Sequence, residues 1–560
     1  MQPSALAKRV WLLLFLAVIA FYYYGLGHMP FVGPDEPRYA QVAREMFLRG
    51  DLVTPTLGGH TWFEKPPLLY WMMIASFHLF GISEWAARLG PALSGLLTVF
   101  AVFWTGRRVC RASIEHQLPG LAPWSAIIAA STLGIIVFSR GVGFDIVVTM
   151  TIAWALSFFL VSELEENEEI CRRFLFGFYV FIGLSLLAKG LIGLVIPFSV
   201  VGFYQLVRRQ FPARSFLLSL WWGLPLLFVV ASSWYVPVIL KHGWPFIDEF
   251  FIQHHFKRYF SNKYLHPQPF YFYLLILIPL SLPWTAFLIE GLVEARTWKL
   301  RSPDSLDRLR IFALAWLLMP LAFFSLSGSK LPGYILPVLP AGALIAGERL
   351  TKLLSGDRDG FWAMRITGAV SGMFAIVGSV YLIRLGSLSL KCVAMMGVPL
   401  IITAASCIFW THRKTVSALL VIFATFAALI VALNCGVRSI ATRESMRDLI
   451  QLANARGYGS APVYALHQID RSAEFYAAGR VVYASEGEPA RFESALDILE
   501  ASRKNRAPIL VIVPIEYIHQ LTGLPSALID VVGNNGKLAL VGVASQESKT
   551  DFKVGCFSSD

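Results

Sequence analysis

Apolar residues gather along this chain in runs long enough to cross a bilayer, and polar residues are compressed into the segments between them. The runs centre on residues 10–27, 86–106, 123–140, 145–163, 174–188, 191–207, 217–240, 271–290, 311–327, 335–350, 362–385, 392–411 and 415–434. They predict about 13 transmembrane helices, the shorter ones completed by polar ends or built as broken helices. The first has Lys8 and Arg9 ahead of Trp11–Ala20, as a signal peptide would. Phe21-Tyr22-Tyr23-Tyr24 then stands where a small-residue cleavage site would be, so the segment reads as an uncleaved helix.

Three segments outside the runs are large enough to hold chemistry: His28–Trp85, Lys241–Phe270 and Gly436–Asp560. In the first, Asp35–Phe47 has helical spacing, with Ala40, Ala43, Met46 and Phe47 on one side. Pro66–Phe80 is apolar and aromatic but short for a span. Both predict helices lying along the membrane surface. In the last, apolar runs shrink to strand length at Val463–Leu466, Val481–Tyr483, Ile509–Val513 and Leu538–Val543. These alternate with helical stretches near Ser445–Ala455, Ala473–Ala478 and Ala490–Ser502, which predicts a small α/β domain. The expected domains are therefore a membrane domain over 1–435, including the 28–85 loop, and an α/β domain over 436–560.

Composition agrees. Of 560 residues, 56% are hydrophobic and only 15% are charged, against roughly 25% charged in ordinary soluble domains, which excludes a soluble multidomain enzyme and a disordered chain. Basic residues fall in every second short loop, at Lys8/Arg9, Arg107/Arg108/Arg111, Arg172/Arg173, Arg208/Arg209/Arg214, Arg296–Arg310, Lys352/Arg358 and Arg413/Lys414. That predicts a cytoplasmic N-terminus, with the three large segments on the opposite side. The formal charge of +12 is thus a topology signal, and no nucleic-acid partner is expected. Six cysteines show neither a CxxC nor a metal-ligand spacing, and a disulfide framework is not expected.

The candidate chemistry lies on the predicted outer face. Gly33-Pro34-Asp35-Glu36-Pro37-Arg38-Tyr39 puts two adjacent acids beside an Arg and a Tyr, with helix capping by Asp35 as the alternative reading. Trp62-Phe63-Glu64-Lys65-Pro66-Pro67 offers Lys65 either as a phosphate ligand or as a snorkelling side chain. Asp145 is an acid at the end of a predicted span, and Lys189-Gly190 sits in a similar outer turn. A basic aromatic stretch, Gln253–Tyr259, carries His255 and Arg258; Ser327–Tyr334 is a Gly/Pro-broken turn carrying Lys330 and Tyr334. Several cations and two acids at one membrane surface suit a phosphate-linked ligand with a polar head.

Together, Asp35-Glu36, Phe63-Glu64-Lys65-Pro66-Pro67, Ala188-Lys189-Gly190, His255-x-x-Arg258-Tyr259 and Ser329-Lys330-Leu331-Pro332-x-Tyr334 resemble the GT-C glycosyltransferases of the protein-mannosyltransferase superfamily, most closely the bacterial aminoarabinose transferases that modify lipid A. The resemblance spans roughly residues 10–440. It implies an all-α polytopic GT-C fold with a periplasmic α/β domain, in the bacterial inner membrane, expected as a monomer. It also implies inverting transfer of 4-amino-4-deoxy-L-arabinose from undecaprenyl phosphate to a lipid A phosphate on the periplasmic side, giving polymyxin resistance. By the same resemblance Asp35 and Asp145 are the functional acids. Lys65, Arg258 and Tyr334 bind the lipid phosphate, joined by Lys330, Glu36, Arg38 and Tyr39 around phosphate and sugar. No cofactor is required; a divalent cation shared by Glu64 and His255 is the one alternative. A related transferase acting on a protein or glycan hydroxyl, and more remotely a transporter, are the competing readings.

Overall fold

A computed structural model describes residues 5–113, 118–257, 268–356, 361–384, 389–409, 413–485, 487–505, 507–525 and 528–544. The chain divides into two compact units, one of Met1–Tyr24, Phe63–Met72 and Arg88–Cys435, the other of Gly25–Trp62, Met73–Ala87 and Gly436–Asp560.

The first unit is helical, because hydrocarbon offers backbone groups no partner and a helix satisfies them within itself. Among the described residues, eight unbroken helices are long and apolar enough to cross a membrane, and the bent pair Leu121–Ser131 and Leu133–Ser139 makes a ninth. The remaining predicted stretches fall on shorter or interrupted helices, such as Ile192–Arg208, Phe272–Leu280 followed by Thr285–Glu294, and Leu339–Leu354. At the 57° bend the Leu133 N–H donates to the Leu282 carbonyl at 2.8 Å, which supplies a partner at the break. Small residues set the close helix contacts: a Cβ on Gly193 would lie 2.4 Å from the Ser185 backbone, and one on Gly223 2.0 Å from the Tyr179 ring.

Charges inside this unit are matched. Arg310 bonds Asp307 at 2.6 Å and Glu348 at 2.5 Å, Arg349 bonds Glu290 at 3.0 Å, and Lys352 bonds Glu294 at 2.7 Å and Glu348 at 2.9 Å. The network ties the helices Thr285–Glu294, Ser305–Ser325 and Leu339–Leu354 at their charged ends. Cys392 and Cys435 form a disulfide that joins the first turn of Leu390–Phe409 to the end of the last long helix. The sequence reading gave no pairing because the two thiols, 43 residues apart, show no spacing motif; only the antiparallel packing of the intervening helices brings them together.

In the second unit the residues 25–62 and 73–87 group with the C-terminal segment, whereas the sequence boundary was drawn at 435/436. The Phe31 N–H donates to Tyr476 Oη at 2.7 Å, that hydroxyl donates to Glu84 at 3.1 Å, and Arg44 donates to the Phe475 carbonyl at 3.0 Å. A small hairpin pairs β1 (Thr56–Leu57) with β2 (His60–Thr61). Five further strands, β3 (Val463–Leu466), β4 (Arg491–Phe492), β5 (Ile509–Pro514), β6 (Ile529–Asn534) and β7 (Leu538–Val543), make one sheet in the order β4-β3-β5-β7-β6. β3 is parallel to both β4 and β5, and β7 is antiparallel to both β5 and β6. The central strand β5 is buried on both faces: Leu510 and Ile512 join a core with Met446 and Ile450, while Ile509, Val511 and Val513 join a second with Ile498 and Leu521.

Three predicted strands stand where expected. Val481–Tyr483 makes only isolated bridges, to Val463 and Pro489. The expected helix from Ala490 begins at Ala495, because Arg491–Phe492 first pairs with β3. β6 was not anticipated; its exposed, partly polar edge and its bulge at Val531/Gly533 hide the strand period.

Candidate functional site

In the first unit three turns between helices are brought onto one another. Asp145 occupies the first turn of Phe144–Glu163, where a carboxylate suits the positive helix end. Lys189 is the last residue of Glu168–Lys189, whose Gly190 cap has a φ of 72°, a conformation glycine adopts without cost. The Lys189 ammonium donates to Asp145 Oδ1, and it also lies 4.4 Å from the centroid of the Tyr334 ring. Both charges are largely sequestered, with 10% of the Lys189 and 23% of the Asp145 side chain exposed. The Tyr334 turn passes directly over this pair. A Cβ on Gly333 would lie 2.1 Å from Asp145 Oδ2, so the close approach requires glycine there. Tyr273 fixes the same turn by donating to the Leu331 carbonyl at 3.2 Å, and Lys330, 7% exposed, donates to the Ser327 carbonyl at 2.5 Å. Asp145 and Tyr334 are thus brought together by the fold, while Lys330 holds the turn's own backbone.

The Lys65 motif is anchored separately within the same unit. Phe63 is 2% exposed, with its ring against His242 and Phe246 and its N–H donating to Glu249 at 3.3 Å. Lys65 pairs with Glu64 at 2.9 Å. Burial raises the Glu249 carboxyl above the usual range, the Phe63 N–H opposes that rise, and the charges of Glu64 and Asp248 add to it. Arg258 and the His255 side chain, half of the expected Glu64–His255 cation pair, lie outside the described residues, and Glu64 is ion-paired with Lys65. Among the described residues no three His, Cys, Asp or Glu side chains converge as a metal site.

In the second unit the Asp35–Arg49 helix carries the acidic pair. Its N-cap is Pro34, without a side-chain cap. Asp35 therefore does not act as the capping residue. Glu36, buried, accepts from the Val32 N–H at 3.3 Å and so closes the entry turn. Asp35 is exposed, and among the described residues it makes no hydrogen bond or ion pair. Arg38 lies over the Trp62 ring at 5.2 Å, and Tyr39 is buried against the helix's own surroundings. About two helical turns further on, Glu45 organises the hairpin: it accepts from Thr56 Oγ1 at 2.6 Å and from the Gly58 and Gly59 N–H groups at 2.7 and 3.2 Å.

Two contributors escaped the sequence-based site list. Lys189 was noted only as part of an outer turn, although a lysine ending an apolar helix beside a Gly cap was the available signal. Glu249 had none, because it sits in an ordinary acidic dipeptide.

A family model for dolichyl-phosphate-mannose-protein mannosyltransferases matches residues 9–245. Undecaprenyl phosphate-alpha-4-amino-4-deoxy-L-arabinose arabinosyl transferases are similar: the one from Serratia proteamaculans is 30% identical over 63% of this chain and 61% of its own length, and the one from Aeromonas salmonicida is 31% identical over 65% and 63%. The aligned chain thus spans a little over three fifths of these relatives. A crystal structure of ArnT from Cupriavidus metallidurans bound to undecaprenyl phosphate superposes with a TM-score of 0.74 over 95% of this chain and 98% of that one, at 24% identity, which establishes the fold. The fold agrees with these matches: the chain is a multi-pass membrane protein similar to the dolichyl-phosphate-mannose-protein mannosyltransferases over residues 9–245 and to the bacterial aminoarabinose transferases over a little more than three fifths of their length.

Proposed function

We propose that this protein moves 4-amino-4-deoxy-L-arabinose from undecaprenyl phosphate to a phosphate group of lipid A, with inversion, at the periplasmic face of the bacterial inner membrane. The observation that carries the reading is the Asp145–Lys189–Tyr334 cluster, an acid, a cation and a phenol sequestered where three outer turns meet. The named relatives supply the donor and the sugar.

In the reaction an acceptor phosphate oxygen attacks the anomeric carbon. The bond from that carbon to the undecaprenyl phosphate oxygen breaks, and its electron pair leaves with the lipid phosphate. Lys65 and Arg258 stabilise the charge that builds on the leaving oxygens, each such contact contributing on the order of 3 kcal/mol to the transition state. Asp145 holds Lys189, and the pair fixes the Tyr334 turn that faces the phosphate. The acceptor's second pKa is about 6, so it arrives ionised and no base is needed. Asp35 accordingly orients the sugar, its exposed carboxylate, which makes no bond among the described residues, being suited to the 4-ammonium.

A second reading, transfer to a protein or glycan hydroxyl, is favoured by the mannosyltransferase model that matches residues 9–245. A hydroxyl must lose its proton, so Asp35 would then be a base, and log kcat would rise with unit slope through a pKa that Asp35→Asn abolishes. The deciding experiment is mass spectrometry of lipid A from a polymyxin-sensitive, transferase-null strain that makes the aminoarabinose donor and expresses this chain. A mass increment of one aminoarabinose, absent with Asp35→Asn, is expected. Unmodified lipid A with correctly inserted protein overturns the lipid A assignment and leaves the hydroxyl acceptor.

A further inference from the structure

The helix that carries Asp35 has a weak start. Its N-cap is Pro34, which supplies no side-chain cap, and the first turn of an uncapped helix is the part that frays. The Asp35 carboxylate is exposed and, among the described residues, makes no hydrogen bond or ion pair, so its place is set by the backbone that carries it. What grips that helix therefore fixes the carboxylate.

The grip comes from the C-terminal part of the same unit, where the five-residue helix Ser472–Tyr476 lies against Asp35–Arg49. Ahead of the first turn, Tyr476 Oη accepts from the Phe31 N–H at 2.7 Å and donates to Glu84 at 3.1 Å; Glu84 is itself paired with Arg447 at 3.5 Å. Phe31 is fully buried, its ring edge-to-face with Phe475 at 4.8 Å. Past the middle of the Asp35 helix, Arg44 donates to the Phe475 carbonyl at 3.0 Å, and its guanidinium lies 5.6 Å from the centroid of the Phe475 ring. Between these two holds, the wholly buried Glu474 pairs with Arg471 at 2.8 Å and feels the positive charge of Arg38, in the first turn beside Asp35. Three consecutive residues of one short helix thus bear on the entry, the first turn and the far half of the Asp35 helix.

We propose that Tyr476 is a positioning residue for sugar transfer, with Phe475 as its second hold: it fixes the entry turn and, through it, the Asp35 carboxylate where the sugar is oriented. The inference rests on the reading that Asp35 meets the sugar, and it applies to either acceptor, since Asp35 acts in both. The Tyr476 hydroxyl is engaged by both the Phe31 N–H and Glu84, so its effect passes through the helix and not through contact with substrate. Rate is sensitive to such displacement, a misplacement of about 1 Å costing up to about 10²-fold.

The test follows the full chain in membranes that hold the native acceptors, with turnover of added donor read as release of undecaprenyl phosphate per folded molecule. Tyr476→Phe should lower kcat about 10-fold and leave the donor KM within about 2-fold. Arg44→Gln, which releases the other hold, should act in the same direction. In an Asp35→Asn background Tyr476→Phe should cost under about 2-fold, because the group it positions is already gone. Tyr458→Phe, which removes a hydroxyl bonded to Asp530 at 3.0 Å elsewhere in the unit, should leave kcat unchanged. An unchanged kcat in Tyr476→Phe, the same fold loss in both backgrounds, or an equal loss in Tyr458→Phe would each overturn the proposal. Wild-type turnover without lipid A modification would instead overturn the acceptor assignment and leave the Tyr476 comparison standing. Amide exchange over Glu36–Tyr39 needs no acceptor: it should quicken in Tyr476→Phe and not in Tyr458→Phe, and unchanged exchange in Tyr476→Phe would also overturn the proposal.

Discussion

Asp145 in the first unit and Asp35 in the second live under opposite conditions. In the first, Asp145 is held by Lys189 and Glu64 by Lys65, both pairs largely withdrawn from solvent. In the second, Asp35 stands exposed and, among the described residues, makes no hydrogen bond or ion pair, while its neighbour Glu36 accepts from the Val32 N–H at the helix start. A paired, sequestered carboxylate contributes to the fold and to the field at once, so its loss is felt in both. An exposed carboxylate that only complements the first turn of its helix contributes about 0.3–1 kcal/mol to stability, and its loss should be felt chiefly in activity.

The sharpest way to break this contrast is Asp35→Asn. It should lower lipid A modification by about 10²–10³-fold, as loss of one transition-state contact does, while the thermal midpoint of the purified protein falls by no more than one helix-end charge accounts for. A fall worth clearly more than about 1 kcal/mol would give Asp35 a structural partner and erase the distinction. Next in size, Lys189→Met leaves the Asp145 carboxylate sequestered without its counter-charge and should destabilise by about 2–3 kcal/mol. The double variant Lys189→Met/Asp145→Asn should cost clearly less than the two single changes added, as a double-mutant cycle on thermal midpoints would register. Smaller again, Tyr476→Phe removes both the acceptor of the Phe31 N–H and the donor to Glu84, for about 1–2 kcal/mol, and should loosen amide exchange protection at Phe31.

The smallest effect carries a sign rather than a size. Burial raises the folded-state pKa of Glu249, so the native protein binds its proton more tightly than the unfolded chain. Stability from this group is therefore lost as pH rises from the ordinary glutamate range through the raised value. Glu249→Gln should be the more stable protein at pH 7, and the advantage should vanish near pH 4. A midpoint difference that grows on acidification would reverse the assignment.

How far the sequence could be read follows from where the information resides. The long spans were legible because hydrocarbon forces long apolar runs, although only eight or nine of the 13 expected stretches are helices of spanning length among the described residues, and β3 and β7 were legible because buried strands must be apolar along their length. β6 was not, since an edge strand with Asp530, Gly533 and Asn534 presents no clean period. Asp145 and Tyr334 were legible as polar residues stranded at span ends. Their meeting was not, because it depends on Gly333 letting one turn close over another, a matter of tertiary approach that no local pattern records. The partner of Asp145 was equally hidden, since Lys189 comes 44 residues later on the next helix.

The Cys392–Cys435 bond reaches beyond packing. Cytosolic thiols are kept reduced, whereas the periplasm oxidises them. A chain inserted with these helix ends facing outward carries the crosslink, and one inserted the other way would keep two alkylatable thiols. Each folded molecule therefore bears a covalent record of the direction in which it entered the bilayer, readable by a shift on a non-reducing gel.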